Sequence, residues 1–325
     1  MKFLLTKKNL GAMRFPRSIA EFFSGWGRAR KKPLRLAVIA NCQARPMAQI
    51  IRLLAPQVDI VEITITHLAK QEEKEKCYEI YQKADYIFAQ RVSDNYPTEF
   101  VRSDCLKQMF PHKLIVWPNI FFRGQCADLC YVTRPGVGRV VGPLGEYQNL
   151  VIFEAWQKSS TVSDARQLLT DGGAWLARLE TEAASSLAEL QARELQCDVT
   201  ISSEIAEHWR NKRLFFTFNH PSKWLLETVA RRLLQCIACE TQDTPAIHAC
   251  AEPLDRIIPA LLPVVAEYLG LQLPTGTLFK GCEIQLADQV KIGKGVVYYE
   301  LDDFIETSFR VLDRQLTPDA ATRVS

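Results

Sequence analysis

From Leu34 onward the chain sets short apolar runs between helix-patterned stretches, and this alternation restricts the fold more than any other feature. LRLAVIA is apolar without a break from Leu36 to Ala40, the pattern of a strand covered on both faces. Met47, Ile50, Ile51 and Leu54 then recur at helical spacing, with Pro46 suited to a first turn. VDIVEIT, DYIFAQ and KLIVWP supply three more strands, separated by a polar helical stretch over 68–83 and a helix around 98–109. Strands alternating with helices at this spacing imply right-handed crossovers and an α/β fold with a largely parallel sheet.

Past Tyr147 the pattern turns helical over 147–158, 163–170, 174–196 and 203–210, broken at Asp171-Gly172-Gly173. This reads as a helical insertion over 147–210. RLFFTF at 213–218 reads as a strand that rejoins the sheet, followed by a helix over 222–239. LDRIIPALLPVVAEYLG reads as one more helix. The organisation expected is a basic arm (1–33), an α/β core (34–240) holding the insertion, and a mainly helical C-terminal region (241–325).

The formal charge of +3 hides an asymmetry. Residues 1–35 hold ten Lys or Arg against the single Glu21, so the rest of the chain is net acidic. The arm's apolar stretches are short and interrupted, unlike a cleavable signal, and no later run reaches the roughly 20 apolar residues of a spanning helix. Ser18 to Trp26 suits peripheral contact with an anionic membrane surface, and a solubilising arm explains the same residues equally well. The basic residues beyond the arm form no stripe interleaved with aromatics, which argues against nucleic acid as a partner. Ten cysteines without framework spacing in a chain of 325 residues fit reduced thiols in a cytoplasm. Cys236 and Cys239 lie inside an apolar helical run, and Cys126 and Cys130 lack a matching pair at zinc spacing. All four are expected to be buried structural cysteines, and no metal site is expected.

In an open parallel sheet, ligands bind beyond the carboxyl ends of the strands. Those ends carry Asn41-Cys42-Gln43, Gln90-Arg91, Trp117-Pro118-Asn119 and, after the late strand, Asn219-His220-Pro221. Cys42, close to a helix N-terminus, is expected to have a pKa below the free value of about 8.5 and to act as a nucleophile. A packed, inert thiol is the competing reading. His220 is the histidine of the five whose place in the chain suits a base for Cys42, whereas His67 and His112 read as polar loop residues and His208 and His248 as surface or packing residues. Backbone N–H groups after Cys42, with the amide of Asn41 or Asn219, are the candidate oxyanion donors, worth about 3 kcal/mol each in comparable sites. Arg45, Arg91, Arg123 and Lys223 are the cations nearest this edge, suited to phosphates. No GxSxG elbow, Walker loop or GxGxxG follows a strand, which removes support for nucleotide hydrolysis and Rossmann cofactors.

Ala37-Val38-Ile39-Ala40-Asn41-Cys42-Gln43 resembles the opening of the WcbI family of capsular polysaccharide biosynthesis proteins. Trp117-Pro118-Asn119-Ile120-Phe121-Phe122-Arg123-Gly124 with Asp128 resembles that family's middle segment, and Phe218-Asn219-His220-Pro221 its His-Pro turn. Gln125-Cys126-Ala127 departs from the more usual aromatic and proline before the aspartate. The resemblance, over roughly 34–235, implies an α/β enzyme distantly like the SGNH hydrolases. It implies coenzyme A or acetyl-CoA as co-substrate and acetylation of a sugar hydroxyl on a polysaccharide or nucleotide-sugar-derived acceptor. Cys42 and His220 take the active-site roles, with Asn41, Gln43, Asn219 and Asp128 around them. The same groups would serve an esterase, deacetylase or thioesterase, and a non-catalytic assembly protein at the inner membrane face is the second class of reading. The chain is expected in the cytoplasm.

Overall fold

The apolar run after Pro33 forms β1 (Leu34–Ala40), the first strand of an alternating series. It is followed by α1 (Ala44–Leu54), β2 (Val58–Ile65), α2 (Lys74–Lys83), β3 (Tyr86–Gln90), α3 (Ser103–Met109) and β4 (Leu114–Trp117). The computed structural model describes residues 32–136, 138–287, 289–317 and 323–324. The basic arm expected at 1–33 therefore lies outside the described residues except for its last two. From Arg35 onward the chain forms one compact unit.

The four strands form one sheet in the order β2-β1-β3-β4, with β3 parallel to both β1 and β4. The chain moves outward from β1 to β2 and then returns past β1 to β3. The order therefore reverses between β1 and β3, and a crevice opens beyond their carboxyl ends. Alternate residues of β1 serve opposite layers. Ala37 and Ile39 pack with Ile87, Ala89, Tyr81, Phe100, Leu106 and Phe110 beneath α2 and α3. Leu36 and Val38 are also fully buried, on the face whose helix α1 buries Met47, Ile50, Ile51 and Leu54. The helix expected around 98–109 is split at Arg102, where extended backbone separates a 3₁₀ turn at Glu99–Val101 from α3.

The middle of the chain holds β5 (Leu129–Arg134), β6 (Gly138–Arg139) and β7 (Tyr147–Asn149), then α4 (Leu150–Gln157), α5 (Val162–Asp171), α6 (Leu176–Glu194) and α7 (Ser202–His208). The insertion is thus helical as its pattern indicates, except that it opens on a strand. β6 and β7 pair antiparallel with β5, a sheet the sequence reading missed. Asn149 accepts hydrogen bonds from the Val151 and Ile152 N–H groups and so caps α4.

RLFFTF forms β8 (Phe215–Thr217), which turns back onto β9 (His220–Pro221) and does not rejoin the parallel sheet. Along β4, the edge position is taken by Asp198: the Val116 N–H donates to Asp198 Oδ2 at 2.7 Å and the Asp198 N–H donates to the Val116 carbonyl at 2.8 Å. After β9 comes α8 (Lys223–Cys236). Its buried stripe ends at Leu234, which leaves Cys236 exposed and Cys239 half-buried, contrary to the expectation of two buried thiols; Cys126 and Cys130 are buried.

The C-terminal region is less helical than expected. It contains α9 (Pro245–Ala249), α10 (Pro263–Leu269), a long antiparallel hairpin of β10 (Phe279–Leu286) and β11 (Val290–Tyr299), then α11 (Leu301–Gln315) and the short β12 (Arg323–Val324) that pairs with β5. The apolar stretch 254–270 is helical only from Pro263, which occupies the first turn of α10. Pro259 and Pro263 each lack an N–H, so a continuous helix through them would lose its ladder. Among the described residues no helix is long and apolar enough to cross a membrane.

Candidate active site at the sheet switch point

A cavity of about 1160 Å³ lies at the β1–β3 switch point, somewhat above the roughly 300–1,000 Å³ usual for small-molecule sites. Asn41, Cys42, Gln90, Arg91, Asn119, Asn219 and His220 all line it. The chain ends of β1, β3, β4 and β8 therefore converge as strand-edge geometry requires, although β8 arrives as part of a hairpin.

The convergence is fixed by one buried amide. Gln43 is fully buried, and its Nε2 donates to the carbonyls of Ile120 and Asn219, each at 2.9 Å. Its Oε1 accepts from Gln90 Nε2 at 2.9 Å, and Gln90 Oε1 accepts from the Asn41 N–H at 3.1 Å. The Asn-Cys-Gln turn, the Trp117–Gly124 segment and the Asn-His-Pro turn are thus bound to one another through a single side chain. Gly124 serves the same junction: a Cβ there would come within 2.3 Å of the Phe122 ring, which packs on Trp209 and Phe215.

Cys42 does not have the acidic thiol expected of it. Burial pushes its pKa up to about 11; its own backbone N–H opposes this weakly, and the Glu146 carboxylate adds to it. Gln43 is the cap residue of α1. The N–H groups of Gln43 and Ala44 are already spent on Asn41, through Oδ1 at 2.9 Å and the carbonyl at 3.1 Å. The helix end therefore has little left to offer the sulfur. The amides of Asn41 and Asn219 are engaged too, donating to Asn119 Oδ1 and to the Tyr131 hydroxyl, each at 3.2 Å, so the oxyanion donors expected from sequence are committed elsewhere in this state. Alkylation of Cys42 by iodoacetamide should accordingly be slow at pH 7, where roughly one thiol in ten thousand is ionised, and should rise about tenfold per pH unit up to about pH 10. A plateau near pH 8, read by peptide mass spectrometry, would contradict this environment.

His220 is held by β9 beside two stacked tyrosines, Tyr131 and Tyr147, whose ring centroids are 5.3 Å apart. The Tyr147 hydroxyl donates to Asn219 Oδ1 at 2.6 Å. Its oxygen then faces His220 Nε2 at 3.4 Å, which assigns the proton to Nε2 and the lone pair to Nδ1. Nδ1 is buried with no hydrogen-bond partner. Burial pushes the imidazole pKa down to about 4, so the ring is neutral at physiological pH.

The remaining expectations divide. Arg91 lines the cavity, with Nε donating to Gln196 Oε1 at 2.8 Å and further contacts to the Val92 carbonyl and to Asp94. Arg45, Arg123, Lys223 and Asp128 do not line it. Arg45 is exposed on α1. Arg123 is bound to Glu182 and the Leu129 carbonyl, and Lys223 donates to the carbonyls of Ile247, His248 and Cys250. Asp128 is buried, accepts from Asn149 Nδ2 at 2.7 Å and has its pKa pushed up to about 6 by that burial; it braces β5 against β7. Conversely, His67 does reach the cavity, because β2 ends at the same edge. Glu146, Tyr131, Tyr147, Arg139 and Arg193 also line it and were missed. Arg139 stacks on Tyr131 at 3.8 Å and pairs with Glu146. Gly145 turns with φ of +69° immediately before Glu146, in a conformation that favours glycine.

The parallel sheet, with a polar, thiol-bearing cavity at its switch point, places the chain in the open α/β class. The family model described as polysaccharide biosynthesis enzyme WcbI matches residues 35–242, and the chain belongs to that family. A solved structure of a WcbI polysaccharide biosynthesis enzyme superposes with a TM-score of 0.63 at 20% identity, covering 86% of this chain and 95% of that one. It is described as the native protein without a disulfide bond between coenzyme A and one of its cysteines. No curated protein matches the chain.

Proposed function

We propose that this member of the polysaccharide biosynthesis family transfers an acetyl group from acetyl-CoA to a sugar hydroxyl of a polysaccharide or nucleotide-sugar-derived acceptor. The observation that carries the reading is that a half-buried thiol and a neutral imidazole line one large cavity with arginines on its wall. The residues fit the thioester's carrier: the cavity is spacious, Phe121 and the two tyrosines offer apolar surface, and the arginines suit phosphates. The relative's description mentions a disulfide between coenzyme A and a cysteine, which suits Cys42 as the group met by the carrier's sulfur end. When bound, acetyl-CoA supplies an activated acyl carbonyl.

Two routes are open to these side chains, and their proton affinities separate them. Ionising Cys42 by transferring its proton to His220 runs from a pKa of about 11 to one of about 4, uphill by on the order of 10 kcal/mol. Direct transfer avoids that step. His220 takes the acceptor hydroxyl's proton as the oxygen attacks and passes it to the departing thiolate of the carrier. Cys42 remains a thiol that shapes the wall. Tyr147, itself bound to Asn219, holds the imidazole at Nε2.

The test is a product assay with acetyl-CoA and a capsular glycan. Acetylated glycan should accumulate in step with free coenzyme A. Coenzyme A released without acetylated glycan would replace the transferase reading with the hydrolytic one.

A further inference from the structure

A second concavity, of about 530 Å³, lies between α6, the segment after α7 and the end of α10, within the size range of small-molecule sites. Its walls carry both signs of charge without pairing them. Glu180 of α6, Glu267 of α10 and Arg210 all line it and all are exposed. Among the described residues none of the three forms an ion pair. Arg210 spends its Nε on the Leu269 carbonyl at 3.4 Å and lies 4.2 Å from the Trp209 ring centroid, which leaves its two Nη groups available. Tyr268 adds a ring that is 45% exposed, and the buried rings of Trp209 and Phe122 line the groove as well. The groove is also built in advance. The Gln272 N–H donates to the Arg210 carbonyl at 2.6 Å, so two bonds tie the segment after α7 to the end of α10, and a wall already ordered costs a ligand less to engage.

Carboxylates that accept, a guanidinium that donates and an aromatic face in one groove match a ligand whose groups do both. Sugar hydroxyls each donate and accept, and the apolar C–H face of a sugar ring packs on an aromatic side chain. A ligand of one charge sign would meet like charge on one wall or the other. Glu180, Ala184 and Leu187 recur at helical spacing on one side of α6, whereas Ala192, Arg193 and Gln196, which line the switch-point cavity, fall on the other. Phe121 and Phe122, adjacent in the chain, divide between cavity and groove in the same way. The groove is therefore a separate site, set apart from the cavity by a helix thickness on the order of 10 Å, and no single sugar occupies both. We infer that the groove binds an uncharged segment of the glycan chain while a different sugar of that chain is presented at the cavity. The presentation at the cavity rests on the acyl-transfer reading; the recognition of hydroxyls in the groove does not.

Retardation of the full chain in native gels containing a capsular glycan, without acetyl-CoA, reads the groove directly. Acetylation kinetics with the intact polymer and with its isolated repeating unit read its part in turnover. Tyr268→Ala and the double variant Glu180→Gln/Glu267→Gln, all at exposed positions, should each weaken retardation by about tenfold and raise KM for the polymer by a similar factor. The kcat, and KM for the repeating unit, should stay at wild-type values. Added salt should change retardation little, because the segment bound is uncharged; a steep loss would overturn that assignment. Equal retardation of the wild type and both variants would overturn the proposal, as would a wild type that the polymer does not retard. So would a rise in KM for the repeating unit as large as that for the polymer, which marks an effect passed through α6 into the cavity. Retardation that depends on Tyr268, with acetyl-CoA consumed and the glycan left unmodified, would uphold the groove and remove the transferase reading. Acetylation of the polymer with no dependence on Tyr268 would do the reverse.

Discussion

Replacing His220 by Ala should slow acetyl transfer by about 10²- to 10⁴-fold, the range lost with a positioned base, while Cys42→Ala should stay within about tenfold of wild type. The asymmetry follows from the two environments. His220 is neutral and keeps a lone pair at Nδ1 throughout the physiological range, since its pKa is pushed down to about 4. Activity carried by it should therefore hold from neutral pH down toward pH 5 and fall below that, as the ring is protonated. Cys42, pushed up to about 11, would instead impose a rate that climbs with pH through the neutral range. Steady-state kinetics of both variants with a pH profile, and intact-mass spectrometry after mixing with acetyl-CoA, read these outcomes. An acetyl adduct on Cys42, together with Cys42→Ala losses equal to those of His220→Ala, would sink direct transfer in favour of a covalent route.

The second large effect is expected on stability. Gln43→Leu keeps the volume but removes the amide that satisfies the Ile120 and Asn219 carbonyls and Gln90 Nε2. Three polar groups lose their partner, two in buried bonds and the Asn219 carbonyl in a part-buried one, and each costs about 1–3 kcal/mol when orphaned in the interior. Local relaxation and entering water recover some of this, leaving a destabilisation of about 3–5 kcal/mol and a fall in thermal midpoint of about 6–15 °C. Because the lost bonds hold the loop after β4 and the Asn219-His220 turn, the surviving folded protein should also lose catalysis, with kcat falling more than KM rises. Urea unfolding that placed Gln43→Leu within about 1 kcal/mol of wild type would mean that the three segments are held by packing instead.

That amide explains why short motifs carried so much of the family resemblance. Asn41-Cys42-Gln43, the segment around Ile120 and the turn at Asn219 are far apart in sequence, yet they are joined by direct hydrogen bonds. Their residue types report one junction. The middle segment holds less chemistry than its motif implied, since Arg123 and Asp128 are fastened to Glu182 and Asn149 away from the cavity.

The sequence by itself determined the parallel sheet and the edge at which the site forms. Apolar runs with helical crossovers admit few arrangements, and such a sheet places Cys42, Gln90, Arg91 and Asn119 at its carboxyl end. The missed strands also left local marks: LCYVTR at 129–134 and GVVYY at 295–299 are rich in β-branched and aromatic residues. Their pairing partners were not legible, because antiparallel register depends on distant chain. Only the tertiary structure decided the electrostatic character of the site. A helix N-terminus next to Cys42 suggested an acidic thiol, but the β8–β9 hairpin and the tyrosine pair enclose the site, and desolvation there outweighs what a helix end with spent donors can give. Arg139, Glu146 and Arg193 reach the cavity from β6, the turn before β7 and the end of α6, elements outside the parallel sheet whose approach no local pattern encodes. The raised pKa of Cys42, against the lowered one expected from its place in the chain, is therefore a consequence of what folds over it, which depends on contacts made across more than a hundred residues of chain.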